Sequence, residues 1–124
     1  MANLETSLKE AMAIEGAIGV ALVDYGSGMA LGSLGDGGEL DLNVAAAGNT
    51  DVVRAKMRAL EALNLLDNEI EDMLITLTHQ YHMVRPLTTP GGRGLFLYLA
   101  LNRGRSNLAM ARHHLKRIEL ALEI

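Results

Sequence analysis

Residues 40–66, LDLNVAAAGNTDVVRAKMRALEALNLL, hold no proline and space their apolar side chains for one long helix. At roughly 100° per residue, Val44, Ala45, Gly48, Val52, Ala55, Ala59, Ala62, Leu63 and Leu66 form one apolar lobe. Ala46, Val53, Met57 and Leu60 form a second, with only Asn49 and Lys56 between the two. Thr50, Asp51, Arg54, Arg58 and Glu61 fill the remaining arc. A helix lying on one small domain needs an apolar stripe of roughly 100°, and this one is about twice as wide. Two surfaces are therefore expected to cover it, the chain's own sheet and another molecule. Gly48, Ala55, Ala59 and Ala62 are small enough for a second backbone to come close.

Outward from this helix, the pattern changes on both sides. Ahead of it, Asn3 or Thr6 caps a short amphipathic helix bearing Leu4, Leu8, Ala11 and Met12, which ends at Glu15-Gly16. AIGVALVD from Ala17 is apolar at both alternating positions, as in a strand covered on both sides. Gly26, Ser27 and Gly28 turn the chain into a second strand, MALGS. The glycine-rich LGDGGE then leads into the long helix, with Asp36 or Asp41 as its N-cap.

Beyond the helix, EDMLITLTHQ alternates Met73, Ile75 and Leu77 against Thr76 and Thr78. A tight turn from Thr78 to Gln80 gives way to YHMVRPLT, where Pro86 removes a ladder donor and implies an edge position or an irregular end. After the turn TPGGRG, GLFLYLALN sets Leu95, Leu97, Leu99 and Leu101 against Phe96, Tyr98 and Ala100, a second doubly covered strand. Asn102 or Ser106 caps a closing helix with Leu108, Ala111, Leu115, Ile118 and Leu122 at helical spacing. The short turns between strands demand an antiparallel sheet, and three helices must cover its faces.

The 124 residues fit one domain, 1–124, and an apolar fraction of 49% supports a real core. Asp and Glu number 15 against 11 Lys and Arg, so no broad positive footprint for nucleic acid or an anionic membrane is expected. No cysteine is present, which excludes disulfides and thiolate metal ligation. The start shows no secretory signal and no segment has the length of a membrane span, so a cytoplasmic protein without membrane insertion is expected.

Catalytic signatures fail one by one. The glycines between Gly26 and Gly38 lack the lysine of a phosphate-binding loop. Nothing in the spacing of His79, His82, His113 and His114 forces them onto one metal. Gly26-Ser27-Gly28 does not fit a nucleophile elbow, and Ser7, Ser27, Ser33 and Ser106 are expected in capping or turn contexts rather than beside a base. No cofactor and no enzymatic activity are expected. Asp51, Arg54, Arg58 and Glu61, three or four residues apart, are spaced to pair on a helix surface.

The order of elements, with AIGVALVDYGSGMAL, DLNVAAAGNTDVVRAKMRALEAL, EDMLITLTHQYHMVRPL and LFLYLALNRGRSNLAMARHHLKRIE, resembles the roadblock (dynein light chain) family over nearly the whole chain. The resemblance implies a profilin-like α+β sandwich, a five-stranded antiparallel sheet of order 2-1-5-4-3 with the long helix on one face and the terminal helices on the other. It implies a homodimer with third strands edge to edge and long helices antiparallel, covering the second lobe, so that Val52, Val53, Met57, Leu60, Met73 and Ile75 are its interface candidates. Roadblock proteins are signalling platforms that bind Ras-like small GTPases or anchor larger assemblies, and in several prokaryotic systems they accompany a sensor kinase. The gliding-motility members activate a GTPase without inserting an arginine finger. By this resemblance Asn49, Arg54, Lys56, Met57 and Arg58 are the expected partner contacts. A different class, a PAS-like or profilin-like small-molecule sensor, shares the helix-covered antiparallel sheet and is distinguished by a cavity with convergent polar groups.

Overall fold

The computed structural model describes residues 2–35 and 40–123. Its elements are α1 (Leu4–Met12), β1 (Ala17–Asp24), β2 (Met29–Gly35), α2 (Leu42–Ala62), β3 (Met73–Thr76), β4 (Gln80–Pro86), β5 (Leu95–Asn102) and α3 (Leu108–Ala121). The sheet is antiparallel with order β2-β1-β5-β4-β3, as expected.

The two strands without polar alternation are central. β1 lies between β2 and β5, and every residue of Leu95–Leu101 is buried. Leu97, Leu99 and Leu101 join Val20, Leu22 and Met83 under α1 and α3, which contribute Leu8, Ala11, Ala111, Leu115 and Ile118. Phe96, Tyr98 and Ala100 join Ala21, Val23 and Val84 under α2, which contributes Ala46 and Val53. One doubly covered sheet thus supports two apolar layers, the arrangement that removes most apolar surface from water in a chain of this size.

Local chemistry sets the boundaries. The Asn3 carboxamide and the Asp41 carboxylate accept from backbone N–H groups in the first turns of α1 and α2, while Asp36 lies outside the described residues. The cap of α3 differs from expectation. Asn107 accepts from Met110 N, whereas Asn102 accepts from Gly104 N and caps a separate 3-10 turn at Arg103–Arg105. That extra turn postpones the helix by a few residues. The Asp24 carboxylate accepts from Gly26 N, and Gly28 at φ 80 closes the β1–β2 turn in a conformation that disfavours a side chain. Gly32 is needed for closeness instead, since a Cβ there would lie 2.9 Å from Leu4 Cδ2, and its bareness lets α1 settle on β2.

Two expected elements are shorter. α2 stops at Ala62, and Asn64 turns left-handed at φ 57, so Leu65 and Leu66 leave the helix. β3 ends at Thr76, and Leu77 N donates to Gln80 O across the turn to β4. Pro86 is the irregular end: it pairs with Phe96 beyond the last β3 pair, Met73 with Val84, where no ladder bond to β3 is required of it.

Candidate functional site

α2 rests on β1 and β2 through the smaller of its two apolar lobes. Ala46, Thr50 and Val53 are buried, and Leu42, Met57 and Leu60 are half-buried on the same side. Thr50 Oγ1 donates to Ala46 O at 2.7 Å, so its hydroxyl enters the core already paired. The larger lobe points away. Val44 is 67% and Val52 42% exposed, and Gly48, Ala55, Ala59 and Ala62 are exposed with them. Among the described residues a Cβ on Gly48 would meet nothing, so none of them gives a reason for glycine in mid-helix, where it costs about 1 kcal/mol relative to alanine.

Burial in the single chain sorts the interface candidates. Val53 is wholly buried in its own core, so it offers no surface to another chain. Met57 and Leu60 are half spent on the same subunit and line a cleft of about 240 Å³ with Leu66, Ile70 and Leu87. It is the first lobe, not the second, that a second copy would find free. Val52 remains exposed, and Met73 and Ile75 are half-exposed on β3, on the α2 side of the sheet.

The expected partner contacts split around the outer lobe. Arg54 and Arg58 border it on one side and Lys56 on the other, all exposed. Among the described residues none of the ion pairs involves them or Asp51 and Glu61, so the surface pairing expected along the helix does not form. Asn49 is half-buried and turns inward, its Nδ2 donating to Ala45 O at 2.9 Å.

Next to α2, the same face of the sheet is only partly covered. Met73, Ile75, Gln80 and His82 are half-exposed there. His82 Nε2 lies 2.8 Å from Gln80 Oε1 and Nδ1 lies 3.2 Å from the Tyr98 hydroxyl, with the two rings edge to face at 5.4 Å. Burial pushes the imidazole below its ordinary 6.5 and the Tyr98 phenol up to about 12. In the sequence alone His82 reads as a turn-flanking histidine. The usable signal is parity with Val84, which puts both on the α2 side.

A larger cleft, about 460 Å³, runs along the outside between α1 and α3, lined by Glu10, Ile14, His114 and Arg117. The hydroxyls of Thr50, Ser27 and Ser106 donate to backbone carbonyls. The α2 side presents an exposed apolar stripe, with Arg54, Arg58, Lys56 and Asp51 on its borders and a half-covered sheet beside it. Among the described residues no helix is long and apolar enough to cross a membrane.

A 2-1-5-4-3 antiparallel sheet with a long helix alone on one face and two helices on the other is the roadblock fold. Solved structures make the likeness concrete. A Roadblock/LC7 domain from Streptomyces avermitilis superposes with a TM-score of 0.76 at 11% identity, over 97% of this chain and 94% of that one. The gliding protein MglB of Thermus thermophilus gives 0.76 at 17% identity, over 93% and 82%. Myxococcus xanthus MglB gives 0.72 at 19%, over 92% and 83%. At these identities the likeness is one of fold. No protein-family model and no curated protein matches the sequence.

Proposed function

We propose that the chain is a non-enzymatic, homodimeric roadblock-type regulator or scaffold that binds a Ras-like small GTPase and modulates its nucleotide cycle or localisation. The observation that carries this reading is the outward lobe of α2, with Val44 67% exposed and Gly48 facing open space. Gly48, Val52, Ala55, Ala59 and Ala62 recur at intervals of four and three residues, the spacing of a helix–helix seam. Small side chains along such a seam allow a short interaxial distance. Two antiparallel copies would hide the stripe and leave Arg54 and Arg58 of each along a shared rim. Likeness of fold to MglB proteins supports the choice of a GTPase as partner.

The test has two parts. Light scattering is expected to give twice the chain mass; a monomer at micromolar concentration overturns the dimer. A Ras-like GTPase loaded with GDP or a GTP analogue is expected to be retained on the immobilised protein, and its hydrolysis or exchange rate to change in solution. Arg54→Glu with Arg58→Glu is expected to abolish retention with the dimer intact. Unchanged retention removes these arginines from the contact.

A further inference from the structure

We infer that the half of the sheet bearing His82 is a pH-sensitive joint with a second copy of the chain, one that closes only over a neutral imidazole. The inference rests on the dimer reading above and goes beyond it.

α2 packs chiefly over β1 and β2 and reaches Val84 near the end of β4, and among the described residues no helix covers the rest of this face of β3 and β4. His82 sits in the middle of that bare half, opposite Ile75 on β3 and Ala100 on β5. Among the described residues its hydrogen-bond and ring partners, Gln80 and Tyr98, are both uncharged. On this face β3 presents Met73 and Ile75, β4 presents Gln80 and Val84, and β5 presents Phe96, Tyr98 and Ala100. From α2, the flank with Ala47 and Thr50 lies against Gly28, at the β2 side. Asn49 and Lys56, roughly 140° further round, are therefore turned toward β5 and β4, and the one charge among them is a cation. A second copy seated against the stripe and this half-sheet brings the apolar side chains of Val44, Val52, Ala55 and Ala59, with Asp51 at the stripe's far border. Closing the joint removes the remaining water from an imidazole whose neighbours, Gln80 and Tyr98, are neutral.

The sign follows from desolvation. Water withdrawn from His82 disfavours its charged form, so the dimer binds the proton less readily than the separate chains do. Association must then release protons and must weaken as pH falls through the titration of the free chain. Exposed His79, His113 and the half-buried His114 lie outside this face, at the β3–β4 turn and on α3. With one His82 on each copy, Kd rises by up to roughly a hundredfold per pH unit in that range, tenfold for each imidazole.

The dimer dissociation constant should be measured by sedimentation equilibrium between pH 8 and pH 5, with far-UV circular dichroism at each pH to show that the chain stays folded. The wild-type Kd is expected to rise progressively, several-fold or more, as pH is lowered from 7.5 to 5, and the His82→Gln Kd to stay flat. A flat wild-type curve overturns the inference, as does the same slope in His82→Gln. Should that variant fail to fold, the wild-type imidazole is followed by NMR at low and high protein concentration. A lower pKa at high concentration supports the joint, and a concentration-independent one overturns it. A chain that stays monomeric at pH 8 sinks the dimer itself, whereas a pH-independent dimer sinks only the joint.

Discussion

Arg85 Nε donates to Glu119 Oε1 at 2.7 Å, with the two side chains 10% and 3% exposed, and so ties the end of β4 to α3. The second carboxylate oxygen accepts from Thr88 N at 2.7 Å and from Thr88 Oγ1 at 3.3 Å. A buried ion pair gains little over apolar residues of the same shape, because desolvation offsets attraction, but removing one partner strands the other. Glu119→Ala is therefore expected to lose roughly 3–5 kcal/mol of stability. The double change Arg85→Met with Glu119→Leu should restore most of it, apart from roughly 1–3 kcal/mol for the orphaned Thr88 N–H. Urea midpoints at one fixed protein concentration measure both. A double variant as weak as Glu119→Ala would mean that the pair itself holds the fold.

Ser7 offers the opposite case. It is buried on α1 beside Leu8, and its Oγ has no partner among the described residues. An unpaired buried hydroxyl is a cost that alanine removes, and alanine is also the better helix former. Ser7→Ala is expected to stabilise by about 1 kcal/mol and to raise the thermal midpoint by a few degrees. A drop in the midpoint would reveal a partner for the hydroxyl.

Much of this fold can be read from residue order because β1 and β5 announce themselves. Strands apolar at every position need a helix layer on each side, and the short turns allow only antiparallel neighbours. The orientation of α2 is harder to read, because both of its lobes are apolar and angle alone does not rank them. Volume ranks them: Val53, Met57 and Leu60 bury more area per residue than Gly48, Ala55 and Ala59. The smaller lobe therefore takes the sheet. His82 escaped for another reason, since a lone histidine carries no spacing signal until the strand register puts it against Tyr98. The cap of α3 moved to Asn107 because Asn102, a good cap by type, was taken by the preceding 3-10 turn.

Tyr98 makes stability depend on alkali. Its ring is buried and its phenol is pushed from 10.0 up to about 12 by loss of water. The unfolded chain ionises first, so stability is intact below pH 10 and falls as pH rises through the interval up to about 12. A spectrophotometric titration of tyrosinate is expected to show a late component, above the ordinary tyrosine range, that Tyr98→Phe removes. The same variant should flatten the alkaline fall in urea midpoint, although it leaves His82 Nδ1 without a partner and lowers stability near neutrality by roughly 1–3 kcal/mol. An alkaline fall of unchanged size in Tyr98→Phe would assign the effect to another group.

Val52 and Val53 are adjacent in sequence and opposite in fate, 42% and 0% exposed. Val53→Ala opens a hole among Val84, Phe96 and Tyr98 and is expected to cost roughly 1–3 kcal/mol in folding. Val52→Ala, on the outer stripe, should change the folding of the single chain by no more than about 0.5 kcal/mol. Its effect belongs to association, and Val52→Asp should sharpen it, because a carboxylate in an apolar helix seam must be desolvated with nothing opposite to receive it. Urea unfolding at a dilution where the chain is monomeric isolates the first effect, and light scattering across a concentration series isolates the second. If Val52→Asp still dimerised as tightly as the wild type, the seam would have to lie elsewhere than on the outer face of α2. If Val53→Ala dissociated the dimer without loosening the fold, the two lobes would have exchanged roles.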